Sequence, residues 1–142
     1  MGRSRGGLTT KIHALTDGKG RPLKLALSPG QSHDSLGADL LLRNLEGVAF
    51  LLGDKAYDAD WIRDLIEAQG TAPNIPDKSN RKRRHPFSGT LYRERNRIER
   101  FLNRIKHFRR VATRFEKHAQ NYLAMIKLAS IRIWMRHNES MA

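Results

Sequence analysis

The first half of the chain alternates between segments with the period of β-strands and segments with the period of helices. Residues 8–16 and 22–28 have strand character, and the turn-forming residues 17–20 between them predict a β-hairpin. Residues 35–45 carry leucines at helical spacing, which predicts a helix. Residues 48–52 form a short apolar run, as expected for a strand buried on both faces.

The rest of the chain is predominantly helical in pattern. Residues 60–69 predict a helix that ends at Gly70, with apolar positions at Trp61, Leu65, Ile66 and Ala68. Residues 71–75 suit a further strand, and residues 117–136 predict a helix apolar around most of its circumference, which we expect to be packed. This order of elements predicts a mixed α/β fold. The length suits a single domain over residues 1–142.

A predicted helix over residues 90–108, within a helical region 90–109, has three faces. The core stripe consists of Ile98, Phe101, Leu102, Ile105 and Phe108. The opposite side, expected to face solvent or a polyanion, carries Arg93, Arg97, Arg100 and Arg104. A third stripe consists of Tyr92, Arg95, Glu99 and Lys106. Because that stripe lies at roughly 100° from the core centre, we expect the Glu99 carboxylate to be half-buried between cationic neighbours.

Positive charge is concentrated in the same part of the chain. The formal net charge is +13, yet residues 1–77 hold nine basic and ten acidic residues. Residues 78–117 hold fifteen basic residues and three acidic ones. Within them, the predicted basic loop 77–89 contains the run Arg81, Lys82, Arg83 and Arg84. A solvated basic face is the ordinary alternative, but charge of this density favours a nucleic acid partner.

Composition excludes several classes of protein. The chain has no cysteine, which excludes disulfides, thiolate metal sites and a cysteine nucleophile, and fits a reducing compartment. Its first residues are polar and basic, unlike a signal peptide, and its most apolar tract is too short to span a bilayer. We therefore expect a cytoplasmic protein without membrane association.

Two carboxylates are the candidates for chemistry. Asp54 directly follows the predicted strand 48–52, and ligands of open α/β sheets gather where strands end. Glu99 is one of only three acidic residues in the basic region. Paired carboxylates suit hard divalent cations, which can activate a nucleophile and stabilise the leaving oxygen of a phosphodiester. A solvated turn aspartate and an Arg95–Glu99 ion pair remain the alternatives.

The two histidines of the first segments have simpler interpretations. His13 lies in a predicted strand, where a hydrogen-bonded structural histidine is the better interpretation, because no ligand spacing supports a metal site. His33, followed by Asp34, is expected to end a loop and cap the next helix.

The chain resembles a known family at these same residues. The spacing of Tyr92, Arg95, Glu99 and Lys106 matches the Y-R-E-K signature of bacterial insertion-sequence DDE transposases. The segment D-K-A-Y-D that begins with Asp54 resembles the motif of the second catalytic aspartate. The segments G-R-S-R-G-G-L-T-T-K-I-H and P-G-Q-S-H-D resemble insertion-sequence family five.

This resemblance implies a ribonuclease-H-like fold, a mixed sheet flanked by helices, in which three carboxylates bind two Mg²⁺ ions. Asp54 would be the second catalytic and metal-binding carboxylate, and Glu99 the third. Tyr92, Arg95 and Lys106 would help to position DNA near the scissile phosphate. The partners implied are the ends of the insertion sequence and its target DNA, in the nucleoid of a bacterium.

The family pattern also contains a first aspartate, on a strand upstream of the region that matches residues 2–7. We therefore expect a truncated domain without its first strand, which depends on an upstream transposase segment for activity. A homo-oligomer is a further expectation. The alternative function is a non-catalytic DNA-binding fragment that modulates a complete transposase, which the basic region alone would support.

Overall fold

The computed structural model describes residues 2–4, 7–30, 37–107 and 119–141, which belong to two compact units. The hairpin unit comprises residues 1–30 and 96–142, and the strand–helix–strand unit comprises residues 31–95. His33, Asp34 and Phe108, the first residues of the predicted helix 35–45, and the start of the predicted helix 117–136 lie outside the described residues.

The described elements follow one another in a mixed α/β order. In chain order they are β1 (Gly2–Ser4), β2 (Gly7–Thr16), β3 (Pro22–Pro29), α1 (Ala38–Leu41), β4 (Phe50–Leu52), a 3₁₀ turn (Lys55–Tyr57), α2 (Asp60–Glu67), β5 (Ala72–Asn74), α3 (Gly89–Tyr92), a second 3₁₀ turn (Arg93–Arg95), α4 (Asn96–Lys106) and α5 (Ala119–Met141). The predicted mixture of small sheets and helices is therefore confirmed.

The hairpin unit contains an antiparallel sheet in the order β1-β2-β3. The register pairs Thr10 with Pro29 and Ala14 with Leu25, which confirms the predicted hairpin. Strand β1, at the polar start of the chain, was not predicted because it lacks apolar alternation. His13 is buried in β2, and its Nε2 lies 2.6 Å from Ser28 Oγ in β3, as expected of a structural histidine.

The hairpin turn is closed by backbone hydrogen bonds from Asp17 N to Arg21 O and from Gly20 N to Asp17 O, and by the Asp17 carboxylate. Asp17 Oδ1 accepts hydrogen bonds from the backbone N–H groups of Lys19 and Arg21, and its Oδ2 accepts one from Arg21 Nε. Burial raises the pKa of Asp17, but these hydrogen bonds outweigh it and hold the pKa below its usual value. Gly20 has a φ of +78°, a conformation that glycine adopts at little steric cost.

Helices α4 and α5 pack on this sheet through one apolar core. Its fully buried side chains are Phe101, Ile105 and Ile126, with Tyr122, Ala129 and Ile133 beside them. Ile12, Ala14, Leu25 and Leu27 contribute from the strands. The expected core stripe of α4 is confirmed for its described members, since Ile98 and Leu102 also pack against this core.

Aromatic and polar contacts join α5 to the hairpin. Trp134 Nε1 donates a hydrogen bond of 2.7 Å to the Pro22 carbonyl oxygen. The Arg21 guanidinium lies over the Trp134 ring, 4.3 Å from its centroid. The other side of α5 is exposed, with more than half of the Leu128, Ile131 and Met135 surfaces accessible, so its packing is one-sided. Among the described residues, no helix combines the length and apolarity that crossing a bilayer requires.

The strand–helix–strand unit contains the parallel pair β4 and β5, with α2 as the connection between them. Phe50 pairs with Ala72 and Leu52 with Asn74, so both predicted strands are present but shorter, over 50–52 and 72–74. Phe50 is 53% exposed, so the expectation of a strand buried on both faces is wrong. The apolar face expected for α2 is correct at Ile66 but wrong at Trp61 and Ala68, which are exposed. Ile62, Arg63 and Ile66 are buried, whereas Trp61 is 46% exposed. Arg63 faces inward because buried acceptors surround it, as described below.

The single helix predicted over residues 90–108 is interrupted. Helix α3 begins after Ser88, whose side chain accepts a hydrogen bond from Leu91 N. A 3₁₀ turn over Arg93–Arg95 then separates α3 from α4, which begins at Asn96. A 3₁₀ turn winds about three residues per turn rather than 3.6, so side-chain directions extrapolated from Tyr92 to Glu99 as one α-helix do not hold.

Replacement of Ile126 by alanine tests the core of the hairpin unit. Ile126 is fully buried, so we expect the substitution to lower the free energy of unfolding by about 2–5 kcal/mol through lost burial and a residual cavity. Leu128, two residues away on the same helix and 60% exposed, is the matched control. Its replacement by alanine should change stability by about 0.5 kcal/mol or less, as measured by chemical denaturation. Equal losses for both variants would contradict the packing of α5.

Candidate functional site

Asp54 lies where β4 ends, at the first residue before the 3₁₀ turn Lys55–Tyr57. Its Oδ1 accepts a hydrogen bond of 2.8 Å from Ala56 N and so caps the turn. The preceding Gly53 passes close to buried Ile75, because a Cβ at residue 53 would lie 3.3 Å from Ile75 Cγ1. Asp54 itself is half-buried, so its carboxylate is held at the strand end and remains accessible.

Glu99 lies in the first turn of α4 and is exposed, so the expectation of a half-buried carboxylate is wrong. Phe101 and Ile105 mark the centre of the buried face, and at 100° per residue Glu99 lies roughly 140° away from that centre. At that angle the Glu99 side chain points away from the apolar core and remains exposed. Asp54 belongs to the strand–helix–strand unit and Glu99 to the hairpin unit.

The remaining signature residues lie on different elements. Tyr92 ends α3 and Arg95 ends the second 3₁₀ turn, and both are half-buried. The Arg95 guanidinium carbon lies 5.2 Å from the Tyr92 ring centroid, while Phe87 packs edge-to-face on the same ring, also at 5.2 Å. Lys106, the last residue of α4, is exposed. The structure therefore brings Tyr92 and Arg95 into contact within one unit.

The arginines expected on the outer side of this region differ in exposure. Arg93, Arg100 and Arg104 are exposed, as expected. Arg97 is half-buried, which differs from the expectation, because its residue packs beside the hairpin turn. A Cβ added at Gly20 would lie 3.4 Å from the Arg97 carbonyl oxygen and 3.6 Å from its Cβ.

The basic run 81–84 divides into two parts. Arg81 is half-buried and directed at carboxylates: its Nη2 donates to Asp58 Oδ1 at 2.9 Å, its Nε to Asp58 Oδ2 at 3.1 Å, and its Nη1 pairs with Asp60. These two carboxylates raise the pKa of Arg81 further above its already high value. Lys82, Arg83 and Arg84 are exposed and form no ion pair with any described residue.

Asp58, which receives Arg81, is completely buried. It also accepts hydrogen bonds from Arg63 Nε at 2.9 Å and from the backbone N–H of Lys78 at 2.7 Å. Burial alone would raise the pKa of Asp58, but the hydrogen bonds from Arg81, Lys78 and Arg63 reverse this effect and hold the pKa well below its usual value. The carboxylate is therefore charged and saturated with donors.

Arg63 extends the same network to Asp77 and His85. Its Nη2 donates to the Ile75 carbonyl oxygen at 2.8 Å and to Asp77 Oδ1 at 3.2 Å. Asp77 also accepts a hydrogen bond of 2.9 Å from the His85 backbone N–H, and His85 Nδ1 lies 2.7 Å from Asp77 Oδ1. The backbone hydrogen bond is the largest cause of the lowered pKa of Asp77.

Sequence reasoning missed this network. Asp58 was visible as the last residue of the motif that begins with Asp54, but nothing in the spacing indicated its partners. Arg63 lies only five residues after Asp58, but Lys78 and Arg81 lie 20 and 23 residues away, beyond the reach of a local spacing pattern.

Asp58, Asp77 and His85 also form a candidate acidic group for a metal ion. Within the described ranges, their ligand atoms all lie within 4.8 Å of one another. Guanidinium groups already contact both carboxylates, so a cation there would be repelled by Arg63 and Arg81. This arrangement suits an ion-pair network better than a metal centre.

The comparisons with known proteins agree on one family. The model of the transposase DDE domain matches residues 2–134. The chain is 38% identical over 130 residues to the proposed transposase of insertion sequence element IS6501 from Brucella ovis, a match that covers 91% of this chain and all of that one. It is 30% identical over 130 residues to the proposed transposase of IS402 from Burkholderia cepacia, covering 84% of this chain and 59% of that one. No solved structure matches.

Replacement of Asp58 by asparagine tests the buried network. Loss of the charge leaves Arg63 buried beside a neutral partner, so we expect the free energy of unfolding at pH 7 to fall by about 3–5 kcal/mol. Because folding lowers the pKa of Asp58, its stabilisation is complete above the unfolded-state value of about 4 and is lost as the pH falls below it. Denaturation between pH 7 and pH 2 should show a shallower pH dependence for the variant.

The matched control for Asp58 is Asp39→Asn. Asp39 forms an ion pair with Arg43 in which both side chains are more than half exposed. Such pairs contribute little, about 0–1 kcal/mol. An Asp58 variant as stable as this control at pH 7 would refute the importance of the network.

Proposed function

Because the chain belongs to the transposase DDE domain family, we propose that Asp54 and Glu99 are two catalytic carboxylates of an insertion-sequence transposase. The proposed reaction is the Mg²⁺-dependent cleavage of DNA strands at the ends of the element and their transfer to a target. DNA is then the principal partner, and the bacterial nucleoid is the proposed place of action.

The position of Asp54 carries this proposal. It follows the parallel strand β4, and ligands of open α/β sheets gather at the carboxyl ends of such strands. Oδ1 is occupied by the hydrogen bond from Ala56 N, whereas Oδ2 accepts none from the described residues. An accessible carboxylate oxygen of fixed position is the ligand type that Mg²⁺ prefers, so the residue fits the metal that the family implies.

Glu99 is the second proposed ligand. Its exposure on α4 suits a carboxylate that must reach a metal and a DNA strand together. Bound divalent ions would supply activation of the attacking oxygen and stabilisation of the leaving oxygen. The residues of the chain itself would hold the ligand oxygens in place and neutralise the phosphates on either side.

Contacts with DNA are proposed for the exposed cations. The set consists of Lys82, Arg83, Arg84, Arg100, Arg104 and Lys106. Tyr92 and Arg95, which are in contact, are proposed to position the strand near the scissile phosphate. Arg81 is left out of this set because its guanidinium binds Asp58 and Asp60. Arg97 is proposed only as a peripheral contact, since it packs at the hairpin turn.

A complete site of this family requires a third carboxylate. We propose a ribonuclease-H-like arrangement in which an upstream transposase segment supplies the first catalytic aspartate on its own strand. The antiparallel hairpin and the parallel β4–β5 pair are compatible with that arrangement. Assembly of more than one copy at the two ends of an element is part of the same proposal.

Replacement of the two carboxylates tests the catalytic proposal. With the upstream segment supplied and a plasmid carrying the element ends, Asp54→Ala and Glu99→Gln should each reduce strand cleavage at least about 100-fold, because several kcal/mol of charge stabilisation is lost. Asp64→Asn and Glu139→Gln are exposed controls, one in each unit, and should retain activity. Full activity of either carboxylate variant would refute its assignment. Wild-type inactivity with intact DNA binding would favour the non-catalytic alternative.

The DNA-binding proposal has a separate test. Neutralising Lys82, Arg83 and Arg84 together should reduce the slope of log affinity against log salt by about 2.7, at about 0.9 for each lost phosphate contact on duplex DNA. Arg43→Ala removes an exposed cation from the same unit and is the control, with no expected change in slope. An unchanged slope for the triple variant would exclude these residues from the DNA interface.

A further inference from the structure

We propose that Asp58, Arg63, Asp77 and Arg81 form a clamp that holds the three exposed cations Lys82, Arg83 and Arg84 in a set position relative to Asp54. The four residues are positioning residues, and none of them contacts DNA or metal. This inference rests on the proposed function, because it assigns phosphate contact to the three cations and metal binding to Asp54.

A short turn joins Asp54 to Asp58. Its backbone is closed by hydrogen bonds from Tyr57 N to the Asp54 carbonyl oxygen, 3.0 Å, and from Asp58 N to the Lys55 carbonyl oxygen, 3.1 Å. Asp54 caps the start of the turn and Asp58 ends it. Because a hydrogen-bonded turn of three residues is too short to absorb a displacement, a shift of Asp58 would also move Asp54.

The basic loop is attached to Asp58 by hydrogen bonds. The buried Asp58 carboxylate accepts hydrogen bonds from the Lys78 backbone N–H and from two nitrogens of Arg81. Both of these residues lie twenty or more positions after Asp58 in the chain. The paired contact of a guanidinium with both carboxylate oxygens fixes orientation as well as distance. Arg81, directly before Lys82, is therefore fixed to the turn that Asp54 caps.

The far end of the same loop is held at His85. Asp77 binds the backbone and ring of His85 and also receives Arg63, which in turn binds Asp58. Residues 82–84 thus lie between two fixed points, Arg81 and His85. Because they project into solvent with no ion pair to any described residue, their mutual repulsion is left for a polyanion to neutralise.

The role of this network in positioning differs from simple stabilisation. Buried ion pairs are often no more stabilising than apolar side chains of the same volume, because both charges must lose their water. A network of donors and acceptors does, however, hold its members in a defined geometry. The clamp therefore accounts for two features together: Arg81 faces inward while its three neighbours face outward, and Asp54 has a fixed location.

Two substitutions that remove the same charge from the same loop provide the test. Arg81→Gln should speed amide hydrogen exchange in both segments 54–58 and 82–84, because the link between them is cut. It should weaken DNA binding while leaving the salt slope unchanged. Arg83→Gln should leave exchange unchanged and reduce the salt slope by about 0.9, the value for one phosphate contact. A lower salt slope for Arg81→Gln, or unchanged exchange, would overturn the clamp.

A metal probe adds a readout that a purely structural role would not move. Mn²⁺ alone, titrated into the full chain, should broaden the amide resonances of residues 54–57. In Arg81→Gln we expect the Mn²⁺ concentration required to rise about 10- to 100-fold, as is usual when groups that orient a metal ligand are lost. Arg83→Gln should need no more Mn²⁺ than the wild type. Equal Mn²⁺ requirements in the Arg81 variant and the wild type would contradict positioning of Asp54.

Arg81→Lys is a second variant that tests the clamp if Arg81→Gln fails to fold. It keeps the charge but loses the paired contact with Asp58, so a rise in exchange should follow with a smaller fall in melting temperature than in Arg81→Gln. The outcomes also distinguish failure of the proposed function from failure of the clamp. If Asp54→Ala leaves Mn²⁺ broadening intact, or Arg83→Gln leaves the salt slope intact, the corresponding part of the proposed function is wrong. The exchange data would still decide the clamp.

Discussion

The buried carboxylate of Asp58 is the constraint on which the strand–helix–strand unit depends. A charge without access to water is tolerated only when it is fully paired and hydrogen-bonded, and Asp58 meets this condition with donors from two separate segments, helix α2 and the basic loop. Helix α2, the turn after β4 and the basic loop must therefore all be in place together. A parallel pair of three-residue strands could not impose that order by itself.

The hairpin unit is stabilised by a different kind of interaction. Its two long strands and two helices bury a contiguous set of apolar side chains, of which Phe101, Ile105 and Ile126 are inaccessible to solvent. Polar contacts such as that of Trp134 with Pro22 add orientation to a core that apolar burial already provides. Both units contain carboxylates with lowered pKa values, Asp17 in the hairpin unit and Asp58 and Asp77 in the strand–helix–strand unit, so acid removes stabilisation from each of them.

Much of the fold was predictable because its signals are local. Alternation along β2 and β3, the turn at Asp17, and the apolar spacing on α4 each depend on residues within a few positions of one another. The spacing of Ile62, Leu65 and Ile66 does indicate the buried face of α2. The burial of Arg63 was not predictable, because its acceptors at Ile75 and Asp77 lie 12 and 14 residues away. The break at Arg93–Arg95 was missed for a similar reason, since its sequence is compatible with continuous helix.

The same division applies to the candidate site. By itself, the sequence determined the residue types and spacings of Asp54, Tyr92, Arg95, Glu99 and Lys106, and the concentration of positive charge after residue 77. Only the tertiary structure decided that Glu99 is exposed and that Arg81 turns away from its basic neighbours to bind Asp58. The physical reason is that spacing depends on covalent connection alone. The environment of a charge depends on which distant carboxylates, guanidinium groups and carbonyl oxygens the fold brings within a few ångströms of it.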